Sequence, residues 1–417
     1  ELPEPILDNI LVPNKDIIKE VRLHEFDSRG SLLRYSGNVW DRSKQKEEKE
    51  EKEEEDLPEI SGSIKKFNKQ NASVISYYTK VFNMKKKAKE YSKTLSFKTG
   101  KLDMNALTKY KFEDNLFLST QIKQKGKNHG LVFYLDMSGS MFSNFNETIG
   151  QLLEIISFCR ANQIPVSVYG FTDNSIAISL IRGIDRGTVQ FRGSTIYSDK
   201  FALLELFSAD MSVKDFTLMM DIFLTKKWRK IHIFGLGSTP LSPAINTLDA
   251  VVTRFRKATK AEIVNVVFLT DGGDSVGYNF SAAVNKGCLV DPKTKHKVTS
   301  DYLAGKYSEL GGYNNYSYMV PAAILNLMKK RIKGINVVNF YIRPYDVPNF
   351  YKKEEKYVME FDQYYYVNPN AFDFYKSTLN DCKENSTIDE IKYKFNYDSS
   401  RKKAKRTMIE NFISKIC

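Results

Sequence analysis

The sequence is poor in the side chains that build soft-metal centres: it has four cysteines and four histidines among 417 residues. Cys159, Cys288, Cys382 and Cys417 fall into no C-x-x-C or other paired spacing. That excludes a zinc ribbon and a disulfide framework, and it suits a reducing, cytoplasmic setting. His24, His129, His232 and His296 are equally dispersed, and H-E-x-x-H is absent. Two further absences narrow the chemistry. Without G-x-x-x-x-G-K-[ST] the chain has no P-loop with which to hydrolyse ATP, and without G-x-S-x-G it has no nucleophile elbow. No apolar run reaches the roughly 20 residues that a membrane-spanning helix needs. The opening ELPEPILDNI shows no basic region leading into an apolar stretch, so no signal peptide is expected.

What is present begins with charge. The net charge is +13, unevenly spread: residues 44–59, KQKEEKEEKEEEDLPE, carry −5, which leaves +18 on the remainder. This balance permits an acidic protein partner or nucleic acid. The 42% hydrophobic content is enough for a substantial core and excludes wholesale disorder. The length suits two or three domains, or one domain with large insertions.

Hydrophobic periodicity divides the chain. Residues 62–95 read as a helix without internal Gly or Pro. Gly100 ends that pattern, and a short helix capped by Asp103 is expected to follow. Leu131–Leu135 form a compact apolar run stopping at Asp136, the pattern of a buried parallel strand. A helix is expected over 144–161, with Ile149, Leu152, Leu153, Ile156 and Cys159 on its buried face. Further strands are expected at VSVYGFTD (166–173), at EIVNVVFLTDGGDS, ending at Asp271, and at INVVNFYIR (335–343). Between them, FALLELF and FTLMMDIFL read as helical. So does the stretch after Gly237–Thr239, with Ser242 as cap and Pro243 in its first turn, and a helix opened by Pro321 spans 320–333. Such alternation predicts an α/β fold with a doubly wound, mostly parallel sheet and helices on both faces. Function then gathers at the carboxyl ends of the strands, where Asp136 and Asp271 fall.

Three loops supply donors there: Asp136-Met137-Ser138-Gly139-Ser140, Gly237-Ser238-Thr239 and Thr270-Asp271-Gly272-Gly273. The candidate ligands are Asp136, Ser138, Ser140, Thr239 and Asp271. Two carboxylates and three hydroxyls suit Mg²⁺, with Mn²⁺ or Ca²⁺ as alternatives, and do not suit Zn²⁺. Gly139 is expected to bend the backbone so that both serines face one side. A second Gly-Ser-Thr at 193–195 makes Thr195 the alternative to Thr239. Thr239 lies 32 residues before Asp271, room for one loop, one helix and one strand, whereas Thr195 lies 76 before it.

The DMSGS, STPL and TDGG set resembles the metal-ion-dependent adhesion site (MIDAS) of von Willebrand factor type A (vWA) domains, across roughly residues 129–345. That resemblance implies direct contact of Ser138, Ser140 and Thr239 with the metal, and contact of Asp136 and Asp271 directly or through water. KTGKLDMNAL, GFTD and GSTPLSPAI are also similar to the vWA-bearing subunit of aerobic cobalt and magnesium chelatases, and closer still to vWA proteins of tailed phages. This implies a ring-forming MoxR-type AAA+ ATPase as partner, an adaptor role, and, for a phage protein, the host cytoplasm.

The expected organisation is an N-terminal segment (1–60) containing the charged run, a helical extension (61–128), a vWA-like domain (129–345) with an insertion at 188–236, and a C-terminal extension (346–417). In that extension, 360–375 reads as a strand packing on the main domain, with base stacking as the alternative, and 399–417 as a basic amphipathic helix. The expected function is a non-catalytic, metal-dependent binding module that captures a partner Asp or Glu. The alternatives are a metal-assisted hydrolase or nuclease using the same carboxylates, and an accessory nucleic-acid binder.

Overall fold

Seven of the eight residues His129–Asp136 are buried, so this run needs cover on both faces. A computed structural model describes residues 1–30, 62–92, 94–102, 117–123, 128–181, 190–192, 201–275, 288–299, 316–342 and 360–367. The charged run 44–59, Asp103, Thr195 and the helix expected over 399–417 lie outside the described residues.

The first described elements are β1 (Glu4–Pro5), β2 (Leu11–Val12), α1 (Asn14–Gly30), α2 (Gly62–Ser92), β3 (Thr94–Leu102) and β4 (Phe117–Lys123). Next come β5 (His129–Asp136), α3 (Phe145–Ala161), β6 (Val166–Thr172), α4 (Ser175–Ser179), β7 (Phe191–Arg192), β8 (Ala202–Phe207) and α5 (Val213–Leu224). The chain continues through α6 (Leu241–Asn246), α7 (Leu248–Thr259), β9 (Ile263–Thr270), β10 (Cys288–Val290) and β11 (Lys297–Thr299). It closes with α8 (Tyr316–Arg331), β12 (Ile335–Ile342) and β13 (Gln363–Val367).

Seven strands form one sheet in the order β13-β12-β9-β5-β6-β8-β2. Every neighbouring pair is parallel except β6 and β8. From central β5 the chain moves outward through β6 and β8. It returns to β9 on the other side of β5, then moves outward again through β12 and β13. The direction of winding therefore reverses between β5 and β9, and in open α/β sheets the crevice at that reversal, beyond the carboxyl strand ends, is where ligands bind.

Alternation along β5 divides two cores. Leu131, Phe133 and Leu135 join apolar side chains of α2, α3 and α5 on one face. Val132 and Tyr134 join those of α6, α7 and α8 on the other, with Tyr134 stacked on Phe268 at 4.7 Å between centroids. Helix α3 buries the face expected of it and also Ile155 and Phe158, because α2 lies over its outer side. Phe82 of α2 meets Phe158 edge-on at 5.9 Å.

Several local expectations give way. FALLELF is not helical: Ala202–Phe207 is strand β8, antiparallel to β6. All six of its residues are buried, Glu205 included through its pairing with Arg254, so it lacks alternation, and so short a run carries no period to separate strand from helix. FTLMMDIFL does form a helix, within α5. Residues 99–102 belong to strand β3, which pairs with β4; the short helix expected from Asp103 lies outside the described residues. The single helix expected after Gly237–Thr239 is two helices, α6 and α7, divided at Thr247, whose hydroxyl bonds the Ala244 carbonyl at 2.7 Å. Ile245, Leu248, Val252 and Phe255 remain its buried side. Pro321 sits inside α8, which starts a turn earlier at Tyr316. The proline removes one early helical hydrogen bond, a loss offset by the buried packing of Val320 and Ala322–Leu325. At the C-terminal side, β13 pairs in parallel with β12, so this part of 360–375 extends the sheet.

Candidate metal centre

Asp136 is the last residue of β5, and Asp271 directly follows β9, the neighbouring parallel strand. The two carboxylates thus emerge side by side at the reversal point. Asp136 is fully buried. Its Oδ1 accepts the backbone N–H of Ser138 at 3.0 Å, and its Oδ2 accepts the Thr270 hydroxyl at 2.6 Å. Burial lifts its pKa from 3.8 to about 7. The nearby charge of Asp271 adds to the rise, while hydrogen bonds from Thr270 and Ser138 offset part of it.

The serines connect the two acids. The Ser140 hydroxyl donates to Asp271 Oδ1 at 2.7 Å, and the Ser138 and Ser140 hydroxyls lie 3.0 Å apart. With the Ser140 hydrogen committed to Asp271, the hydrogen between the serines comes from Ser138. Both serine oxygens then keep acceptor lone pairs. The turn is held by a short parallel bridge: Gly237 N–H donates to the Met137 carbonyl at 2.9 Å, and Gly139 N–H to the Gly237 carbonyl at 2.7 Å. Gly139 itself is not conformationally special. Its φ is not positive, and a Cβ there would meet nothing closer than the Gly237 carbonyl at 3.7 Å. The bend expected of Gly139 comes instead from this bridge and from the 3₁₀ turn Gly139–Ser143. At Gly237, by contrast, a Cβ would collide with Asp173 Oδ1.

Thr239 reaches the same place from the other loop. Its hydroxyl oxygen lies 3.5 Å from the position of a Cβ on Gly272, and its carbonyl accepts both the N–H and the hydroxyl of Ser275 at 2.9 Å. Ser242 does not cap α6, because Pro240 occupies the cap position. Buried Asp274 takes that role from the neighbouring loop, accepting the Ser242 N–H at 3.3 Å and the Ser242 hydroxyl. These bonds strap the Thr239 loop to the Asp271 loop.

All five candidates therefore sit at one end of the sheet. Asp136, Ser138, Ser140 and Asp271 form a continuous hydrogen-bonded chain, with Thr239 beside Gly272. Three participants were missed as site residues. Thr270 bonds Asp136, Asp173 accepts the Ser238 N–H at 2.7 Å, and Asp274 joins the loops. Thr270 and Asp173 each sit at a strand end beside a loop already singled out, and that position was the available signal. The donor set fits a hard divalent cation: it is all oxygen, and a buried carboxylate with a second acid beside it favours a positive ion. Among the described residues no group of three or more His, Cys, Asp and Glu side chains converges as a metal site. Any ion here would depend on the hydroxyls.

No protein-family model matches the sequence, and no curated protein does. Among solved structures the chain is similar to a von Willebrand factor type A protein from Catenulispora acidiphila, at 12% identity and a TM-score of 0.27. That likeness covers 62% of this chain and 43% of the other, so this chain spans less than half of that protein. It is also similar to the vWF domain of the type V pili tip protein Mfa5 from Porphyromonas gingivalis, at 10% identity and a TM-score of 0.31, covering 64% of this chain and 100% of that domain. Likenesses this distant carry no functional weight, and the α/β architecture stands on the strand order and pairing of the chain itself.

Proposed function

We propose that this chain is a binding module in which Asp136, Ser138, Ser140, Thr239 and Asp271 hold Mg²⁺, and that a partner Asp or Glu completes the ion's coordination. The observation that carries this reading is the hydrogen-bonded path from Asp136 through Ser138 and Ser140 to Asp271 at the reversal of the sheet. Mg²⁺ demands six oxygens and keeps waters readily, so hydroxyl ligands leave it with residual charge and exchangeable positions. An incoming carboxylate supplies both charge and an oxygen. The motif resemblance makes a ring-forming AAA+ ATPase the first partner to test, with an adaptor role in a chelatase-like or other remodelling complex, and a phage as the source. Mn²⁺ and Ca²⁺ are the alternative ions.

Affinity purification of the full chain from its native cytoplasm, in Mg²⁺ and a non-hydrolysable ATP analogue, tests the reading. An AAA+ ATPase should be captured in Mg²⁺ and lost in EDTA or on Asp136→Ala, with the variant keeping the wild-type circular dichroism spectrum. Undiminished capture in EDTA would overturn it.

A further inference from the structure

Next to Ser140 the surface changes character. Phe142 is 52% exposed, yet its ring is held in place. Trp228 meets it edge-on at 6.5 Å between centroids, and the Arg229 guanidinium lies over the ring at 4.8 Å. Trp228 is buried against Phe145 at 4.4 Å, and its indole N–H donates to Asn146 Oδ1 at 3.2 Å. The loop Lys226-Lys227-Trp228-Arg229-Lys230 is thereby pinned to the start of α3 through its one apolar residue. Its other four residues are exposed cations. Lys227 pairs with Asp221 at 2.9 Å, whereas among the described residues no carboxylate pairs with Lys226, Arg229 or Lys230. Lys226 enters the loop with a left-handed φ of 61°, a conformation that a non-glycine residue adopts at some cost. Like charges are thus gathered around a buried anchor beside the carboxylate-lined floor of the metal centre.

We propose that this rim, Phe142 with Arg229, Lys226 and Lys230, docks an acidic segment of the protein partner. One carboxylate of that segment would go to the cation and the next ones to the rim. The proposal deepens the metal-dependent reading and rests on it for the anchoring carboxylate alone. Charge complementarity selects the occupant: a guanidinium already stacked on an aromatic ring keeps its outer N–H fork for bidentate bonding to a carboxylate. The same stacking argues against a nucleic acid. One face of Phe142 is covered by Arg229 and Trp228 packs edge-on against the ring, which leaves a poor platform for a base.

The test uses the full chain and two fluorescent probes of equal charge, a Glu-rich peptide and an oligo-dT strand, each with and without Mg²⁺. The peptide should bind more tightly in Mg²⁺. The Arg229→Ala, Lys230→Ala double variant should weaken it about 10- to 100-fold, the loss expected for charge-assisted hydrogen bonds. Arg229→Lys should recover only part of the affinity, because it lacks the planar fork. A Mn²⁺ titration of the same variant should match wild type, since the rim holds no metal ligand. Metal uptake failing in wild type while rim-dependent peptide binding persists in EDTA would sink the metal reading and spare the rim. Peptide affinity unchanged by the double variant would overturn the rim proposal, as would oligo-dT binding more tightly than peptide with the same dependence on Arg229.

Discussion

Asp136→Asn is expected to make the metal-free chain more stable at pH 8 while abolishing its response to Mg²⁺. The wild-type carboxyl is fully buried, and burial together with the charge of Asp271 places its pKa at about 7 against an ordinary 3.8. The sign follows from linkage. The folded chain keeps this proton at pH values where the unfolded chain has released it, so the stabilisation is complete below about pH 4 and is lost as pH rises through about 7. The displacement corresponds to at most about 4 kcal/mol of strain from an ionised, buried carboxylate above that range. Asparagine keeps the shape and the acceptor for the Ser138 N–H but carries no charge. Urea denaturation in EDTA at pH 5 and pH 8 reads the difference. Wild type should lose stability across that interval relative to Asp136→Asn. Parallel pH profiles for the two proteins would show that Asp136 titrates normally in the folded chain.

Arg331→Met should cost about 3 to 5 kcal/mol, although Arg331 lies far from the Asp136–Asp271 site in sequence and has no part in it. The guanidinium is 4% exposed, and its partner Asp291 is fully buried. Arg331 Nε donates to Asp291 Oδ2 at 3.0 Å, and Nη2 bonds Oδ1. The Thr294 hydroxyl and the Lys293 N–H complete the carboxylate's bonding at 2.6 and 3.0 Å. Burial alone would raise the Asp291 pKa, but these bonds prevail and hold it at about 2. This carboxylate ties the β10–β11 hairpin to the end of α8, so removing its cation leaves a charge buried without compensation. Its stabilisation is present above about pH 4 and disappears as pH falls toward 2. Pairing Arg331→Met with Asp291→Leu should recover much of the loss. A single-variant cost below about 1 kcal/mol would mean that the hairpin opens to water instead.

Much of this fold was legible because its strongest signals were local. The run ending at Asp136 and the strand ending beside Asp271 are compact apolar stretches stopped by a carboxylate, the helix from Phe145 carries a helical period, and each forms as expected. Ala202–Phe207 was misread because burial on both faces erases alternation, and only pairing with β6 decides its form. Ser242 looked like a helix cap by residue type, but the capping carboxylate is Asp274, 32 residues away, and no local pattern encodes such a partner. The same holds for the site. The five candidates were visible as polar residues at strand ends. The bonds that position them are long-range: Thr270 to Asp136, Ser238 N–H to Asp173, and Gly237 N–H to the Met137 carbonyl. Those depend on which strands become neighbours. The basic loop at 226–230 was hidden for a related reason, since its place beside Phe142 depends on Trp228 packing against α3.

On the proposed reading, the Asp136–Asp271 centre takes up a divalent cation. Its most direct test is calorimetric titration of Mg²⁺ into the chelator-treated full chain at pH 6 and pH 8, in two buffers of different ionisation heat. Metal binding displaces protons from ligands that hold them, and saturable uptake of one ion per chain is expected. Most of one proton should be released at pH 6 and little at pH 8, with both signals lost in Asp136→Asn. No saturable uptake by wild type, or uptake unchanged in Asp136→Asn, would contradict it.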